Sequence, residues 1–131
     1  MGFLEGKTAI ITGGGFAALK NGEPGSIGYG IATAYAKEGA NLVITGRNVK
    51  KLEDAKERLE AAYGIQVLPV AADVSAGSDN KATVQAVVDA AIEKFGRIDV
   101  LVNNAGMGVF CDFLDFPDSS WQKVIDINMN A

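Results

Sequence analysis

Seven of the sixteen glycines in this chain fall between positions 13 and 30. Six of them form two groups, Thr12-Gly13-Gly14-Gly15 and Gly25-Ser26-Ile27-Gly28-Tyr29-Gly30. Glycine at that density lets a backbone turn sharply and lets a bulky anion rest directly against peptide N–H groups. The chemistry implied is the holding of a diphosphate. Three polar groups follow along the chain: Thr45-Gly46-Arg47-Asn48, Asp73-Val74 and Asn103-Asn104-Ala105-Gly106. Arg47 offers a planar fork of donors for a phosphate, Asp73 a carboxylate acceptor, and Asn104 an amide that both gives and takes hydrogen bonds. Each has an ordinary alternative: a solvated Arg in a turn, a turn-capping carboxylate, and a buried amide satisfying loop backbone. A decoy precedes them all. Gly2-Phe3-Leu4-Glu5-Gly6-Lys7-Thr8 imitates a triphosphate loop, but it is one residue short and comes before the first strand instead of after it.

Composition removes other chemistries. The chain has no His and one Cys, Cys111, which excludes Cys/His zinc sites, non-haem iron triads and any nucleophile–His catalytic unit. Twelve basic against sixteen acidic residues give a net charge of −4 with no Lys/Arg stripe, so neither nucleic acid nor an anionic membrane is expected as a partner. Apolar runs such as Val109-Phe110-Cys111 fall far short of the roughly 18 residues of a membrane span. Met1 to Gly6 has neither a basic segment nor an apolar one, and a cytoplasmic location is the expectation.

The elements that must position these groups alternate. Compact apolar runs at Thr8–Thr12, Leu42–Thr45, Val67–Ala71 and Val100–Asn103 predict four strands buried on both faces of a parallel sheet. Between them, Ile27, Ile31, Ala34 and Tyr35 predict the inner face of a first helix, and Leu52, Ala55, Leu59 and Ala62 that of a second. A third carries Val84, Val87, Val88, Ala91, Ile92 and Phe95, closed by Gly96. Asp118 is the expected cap of a fourth helix bearing Trp121, Val124, Ile125 and Asn128, a pattern still running at Ala131. The order predicts one α/β domain over 1–131: a Rossmann-type doubly wound parallel sheet, its first four strands and flanking helices only. Within it the glycines lie between strand one and helix one, where a dinucleotide's diphosphate meets a helix N-terminus. An acidic residue at the end of strand two would bind the ribose hydroxyls of NAD. None is present there, and Arg47 suits a 2′-phosphate, so NADP is expected in preference to NAD.

Taken together and in this order, the glycine loop, Asp73-Val74 and Asn103-Asn104-Ala105-Gly106 resemble the short-chain dehydrogenase/reductase family over essentially the whole chain. The resemblance implies that Thr12, Gly13, Gly14, Gly25, Ser26, Ile27 and Gly28 form the diphosphate cradle. It places Arg47 and Asn48 at the 2′-phosphate, Asp73 and Val74 at the adenine, and Asn103, Asn104, Ala105 and Gly106 at the ribose side. Trp121 to Asn128 looks like the family segment ending in an active-site Asn, which gives Asn128 a water-holding role in proton relay. The implied activity is hydride transfer between NADP(H) and a ketone or secondary alcohol. Tyr29-Gly30-Ile31-Ala32 and Thr45–Asn48 look similar to hydroxysteroid dehydrogenases, with 3-oxoacyl reductases equally arguable. A homo-oligomer is expected.

Two departures from the family pattern stand out. Its TGxxxGxG motif is stretched here by about nine residues, roughly Phe16 to Pro24, which must loop out over the cofactor or into solvent. Its catalytic Ser and Tyr-x-x-x-Lys have no counterpart, since Thr33, Gly39 and Val67 stand four places after Tyr29, Tyr35 and Tyr63. The 131 residues are therefore expected to be inactive alone, as part of a longer enzyme or as a non-catalytic, redox-sensing NADP module. A receiver-type signalling domain, with Asp73 as phosphoacceptor, would require an acidic pair where Thr12-Gly13-Gly14 stands.

Overall fold

The computed structural model describes residues 2–75 and 80–131. β1 (Thr8–Thr12), α1 (Ile27–Lys37), β2 (Asn41–Gly46), α2 (Val49–Tyr63), β3 (Val67–Ala71), α3 (Asn80–Phe95), β4 (Val100–Val102) and α4 (Asp118–Ile125) follow in chain order. All strands are parallel, in the sheet order β3-β2-β1-β4, with Thr12 level with Thr45 and Thr45 level with Val70. The chain thus steps outward from β1 through β2 to β3, then returns to the other side of β1 with β4. That reversal opens a crevice at the C-terminal ends of β1 and β4, where open α/β sheets bind ligands.

Ile11, Leu42 and Ile44 point to the α1/α2 layer and Ile10 and Val43 to α3, so β1 and β2 are covered on both faces as expected. The outer strands are not. β3 is only part-buried, and β4 leaves Leu101 57% exposed. Both sit at sheet edges, where fewer helices cover them.

The inner face of α1 also differs from the expected one. Gly28, Tyr29, Ala32 and Ala36 are buried and Ile31 and Tyr35 pack part-buried against the core as expected, while Ile27 is 77% exposed and Ala34 faces solvent. A glycine takes the place next to the loop after β1 because α1 enters almost in contact with it there. α2 buries Leu52, Ala55 and Leu59 as its spacing predicts, though not Ala62. α3 buries Val87 and Ala91 and leaves Val84 and Ile92 exposed. The fourth helix has Pro117 as its N-cap, with Asp118 inside the first turn, and it widens into a π-helical turn over Asp126–Asn130.

The sheet is tied at the end opposite the crevice by Asp99. Its carboxylate accepts the Thr8 N–H at 2.9 Å and a two-point contact from Arg97 at 2.8 and 2.6 Å. The Arg97 guanidinium, helped by the Thr8 N–H, holds the Asp99 carboxyl down at about 2. Among the described residues no helix is long and apolar enough to cross a membrane.

Candidate functional site

The loop leaving β1 is stitched to the end of β4 by side chains far apart in sequence. Thr12 Oγ1 accepts the backbone N–H groups of Asn104 and Ala105, both at 3.0 Å. In return Asn104 Nδ2 donates to the carbonyls of Thr12 and Gly13, at 3.0 and 3.3 Å. On the other side, the Gly14 N–H donates to the Thr45 carbonyl at 3.1 Å and so ties the loop to β2. The buried-amide and cofactor-side readings of Asn104 are therefore compatible: its side chain is spent on bracing the loop.

Glycine is required at two points. Gly13 has φ +69°, and a Cβ there would press on Asn104 Nδ2 at 3.0 Å. At Gly28, in the first turn of α1, a Cβ would collide with the Gly13 carbonyl oxygen and meet Asn104 Nδ2 at 2.7 Å. α1 can approach the loop this closely only without a side chain. Its first turn has no side-chain cap on its N–H groups and no acidic residue. An uncapped first turn of this kind presents bare N–H groups and the positive end of the helix dipole, which suit an anion.

The extra residues are pinched off at their base. Ser26 Oγ donates to the Gly15 carbonyl at 2.9 Å and the Gly25 N–H to the Ala17 carbonyl at 2.7 Å, with a further bridge between Ala18 and Pro24. Gly15 and Ser26 are thereby brought together as if the intervening residues were absent. Neither expected alternative, loop over cofactor or loop in solvent, describes the whole. Phe16 is buried, whereas Lys20 and its neighbours from Ala18 to Gly25 are exposed.

A cavity of about 390 Å³ opens beside the loop. Gly13, Thr45, Gly46, Arg47, Asp73, Val74, Ala105 and Gly106 line it, with Lys123 and Asp126 reaching in from α4 and the turn after it. Gly13, Arg47, Asp73, Val74, Ala105 and Gly106 therefore converge on one concavity, whereas Gly14, Gly25, Ser26, Ile27, Gly28, Asn48 and Asn104 do not line it. Asp73 takes the Ser75 N–H at 3.0 Å. Its carboxyl lies below the usual range, chiefly through hydrogen bonds from Ser75 and then through the Arg47 charge. Asn48 is engaged as the N-cap of α2, its Oδ1 accepting the Lys51 N–H at 3.1 Å.

A second cavity, about 450 Å³, lies on the α3 side of the sheet and includes Thr12, Asn103 and Asn128. Asn128 sits in the π-helical turn rather than in a regular helix. Its Nδ2 donates to the carbonyls of Met107 and Val124, at 2.8 and 2.9 Å, and its Oδ1 lies against Gly106. It thus ties the segment after β4 to the end of α4.

Thr45 and Lys123 were not singled out by their spacing. Thr45 is 1% exposed, its Oγ1 has no hydrogen-bond partner among the described residues, and it borders both cavities. In sequence it reads as the last strand residue leading into Gly46-Arg47-Asn48, with no role of its own. Lys123 had the weak signal of sharing the segment that leads to Asn128.

The comparisons with known proteins agree with this geometry. The family model for short chain dehydrogenases matches residues 7–131. A 12alpha-hydroxysteroid dehydrogenase of Clostridium sp. is 60% identical over 105 residues, covering 80% of this chain and 38% of that protein. The oxidoreductase UcpA of Escherichia coli is 41% identical over 133 residues, covering 100% and 44%. Among solved structures, the L-sorbose reductase of Gluconobacter frateurii complexed with NADPH and L-sorbose superimposes with a TM-score of 0.81 at 36% identity, over 99% of this chain and 44% of that one. An NAD+-bound xylitol dehydrogenase gives 0.82 at 29% identity, over 98% and 44%. The chain spans less than half the length of these relatives. With the parallel 3-2-1-4 sheet, the braced glycine loop and the motif order all in place, the chain belongs to the short-chain dehydrogenase family.

Proposed function

We propose that this chain is the NADP-binding portion of an oxidoreductase that moves hydride between NADP(H) and a ketone or secondary alcohol. The observation that carries the reading is the convergence of Gly13, Arg47 and Asp73 on one cavity. Two features fit a bound dinucleotide. The Gly13–Gly28 approach leaves bare backbone where phosphate oxygens need N–H groups, and the orphaned Thr45 hydroxyl marks a polar floor beneath the nucleoside end. NADPH in the sorbose reductase supports the choice of cofactor, while NAD+ in the xylitol dehydrogenase keeps NAD as the competitor.

In this reading the loop from Gly13 and Gly14 to Gly25, Ser26, Ile27 and Gly28 holds the diphosphate through backbone N–H groups. Arg47 pairs with the 2′-phosphate, and Asp73 and Val74 face the adenine. Asn103, Ala105 and Gly106 support the ribose side. The nicotinamide supplies the hydride chemistry when bound. Asn128, with Nδ2 committed to two carbonyls, has Oδ1 free to order a water near Gly106. The proton donor would come from a Tyr–Lys pair that these residues do not contain. The 12alpha-hydroxysteroid dehydrogenase makes a hydroxysteroid the favoured substrate class over a 3-oxoacyl thioester.

Titration of the intact protein with NADPH and NADH tests the cofactor. Arg47→Asp removes a charge-assisted contact and repels the phosphate, so NADPH affinity should fall by about 1.5–3 kcal/mol while NADH affinity holds or rises. Equal affinities of the unmodified protein for the two would refute it. A 12-oxo steroid offered beside a 3-oxoacyl thioester then decides the substrate class.

A further inference from the structure

The ten-residue excursion from Phe16 to Gly25 interrupts the phosphate loop at its most sensitive place, yet it is rooted by one ring. Phe16 follows directly on Gly13-Gly14-Gly15 and is only 8% exposed. Its N–H donates to the Lys51 carbonyl of α2 at 2.9 Å. Its ring stands edge-on to Tyr29, in the first turn of α1, with centroids 5.0 Å apart and planes at 80°. The outgoing limb of the loop is thus fastened to the residue immediately after Gly28, where the incoming limb ends. Over the ring lies the guanidinium of Arg58, from the middle of α2, 4.0 Å from the centroid. Arg58 forms no ion pair among the described residues, so the ring is its evident partner.

We propose that Arg58, through its stacking on Phe16, is a positioning residue for the cofactor's diphosphate, although it takes no part in the cavity itself. The proposal rests on the cofactor reading above. A phosphate cradle made of glycines has almost no side chains to hold its own shape, and inserted residues add freedom that binding must then remove. Here Phe16, clamped between Tyr29 and Arg58, removes it beforehand. Lys51, whose Cβ lies 3.1 Å from where a Gly15 Cβ would be, backs the same stretch from the other side. The exposed tip around Lys20 takes no part.

The effect should be confined to the diphosphate. Arg58→Met keeps the aliphatic stem but removes the cation, and should weaken NADPH binding to the intact protein about two- to fivefold, the scale of an exposed cation–π contact. Arg58→Lys keeps a cation over the ring and should restore most of it. Phe16→Leu removes both ring contacts and should weaken binding more than either. Adenosine 2′-monophosphate, which has no diphosphate, should bind all four proteins alike. A role in stability alone would lower the unfolding midpoint without changing the ratio of the two affinities. Equal weakening of NADPH and adenosine 2′-monophosphate, or unchanged NADPH affinity in Arg58→Met, would overturn the proposal. Failure of the unmodified protein to bind NADPH would instead overturn the cofactor reading, and this proposal with it.

Discussion

Thr12 is the joint on which the cradle turns, and Thr12→Val isolates its hydroxyl. Valine has nearly the same shape, so packing at the end of β1 is preserved. What disappears is the acceptor for two backbone donors, the N–H groups of Asn104 and Ala105, each at 3.0 Å. The hydroxyl's own donation to the Val102 carbonyl, at 3.4 Å, is too long to count for much. A fully buried donor left without a partner costs about 1–3 kcal/mol. These are part-buried and water reaches them in some measure, so about 2–3 kcal/mol for the pair is the expected loss. Thr12→Ser keeps the hydroxyl and loses one methyl, worth about 0.8 kcal/mol. Denaturant unfolding of the intact protein should therefore rank native, Ser, then Val, with the Val variant at least about 1 kcal/mol below the Ser variant. Asn104→Ala, alone and combined with Thr12→Val, should show strong non-additivity, because Asn104 Nδ2 also bonds the Thr12 carbonyl. Ser and Val variants of equal stability, within about 0.5 kcal/mol, would refute the reasoning.

Acid should expose the tie at the other end of the sheet. The Asp99 carboxyl sits at about 2, below its ordinary 3.8. Its contribution is therefore fully present above pH about 4 and is lost as the pH falls toward 2, so Asp99→Asn should flatten that limb of the stability profile. Parallel limbs in the two proteins would contradict this. Glycine-to-alanine changes two positions apart should have opposite signs. Gly28→Ala drives a methyl into the Gly13 carbonyl and Asn104, and should cost about 1–3 kcal/mol and weaken NADPH binding. Gly30→Ala meets nothing within 4 Å and should stabilise α1 by up to about 1 kcal/mol. Thermal unfolding and NADPH titration of both check the pair.

Much of this was legible in the residues, and the exceptions have physical causes. β1 and β2 read as continuous apolar runs because both faces are covered, whereas the edge positions of β3 and β4 relax that requirement. α2 shows its inner face plainly through Leu52, Ala55 and Leu59. α1 misleads only in part: Ile31 and Tyr35 do pack against the core, but Ile27 faces solvent while Gly28, Ala32 and Ala36 turn inward, because close approach to the loop rewards small side chains there. The motif residues lining the Arg47 cavity were recognisable individually. Their mutual bracing was not, because the bonds from Thr12 to Asn104 and from Ser26 to Gly15 join positions with no local periodicity. The same holds for the orphaned Thr45 hydroxyl, which only the surrounding packing reveals.

The bond between Thr12 and the Asn104 amide spans 92 positions. Closing so long a loop is entropically expensive, whereas β1 finds β2 after a much shorter excursion. The first α/β unit is therefore expected to form early and the Thr12–Asn104 brace late. At ribosomal speeds of about 5–20 residues per second, some five to twenty seconds separate the emergence of Thr12 from that of Asn104. Pulsed amide exchange during refolding should show Val43 protected before Asn104 and Ala105, and simultaneous protection would contradict that order. Through that interval the glycine segment exists without the strand that braces it, so the dinucleotide cannot template the fold. It can stabilise only what forms once β4 has joined the sheet.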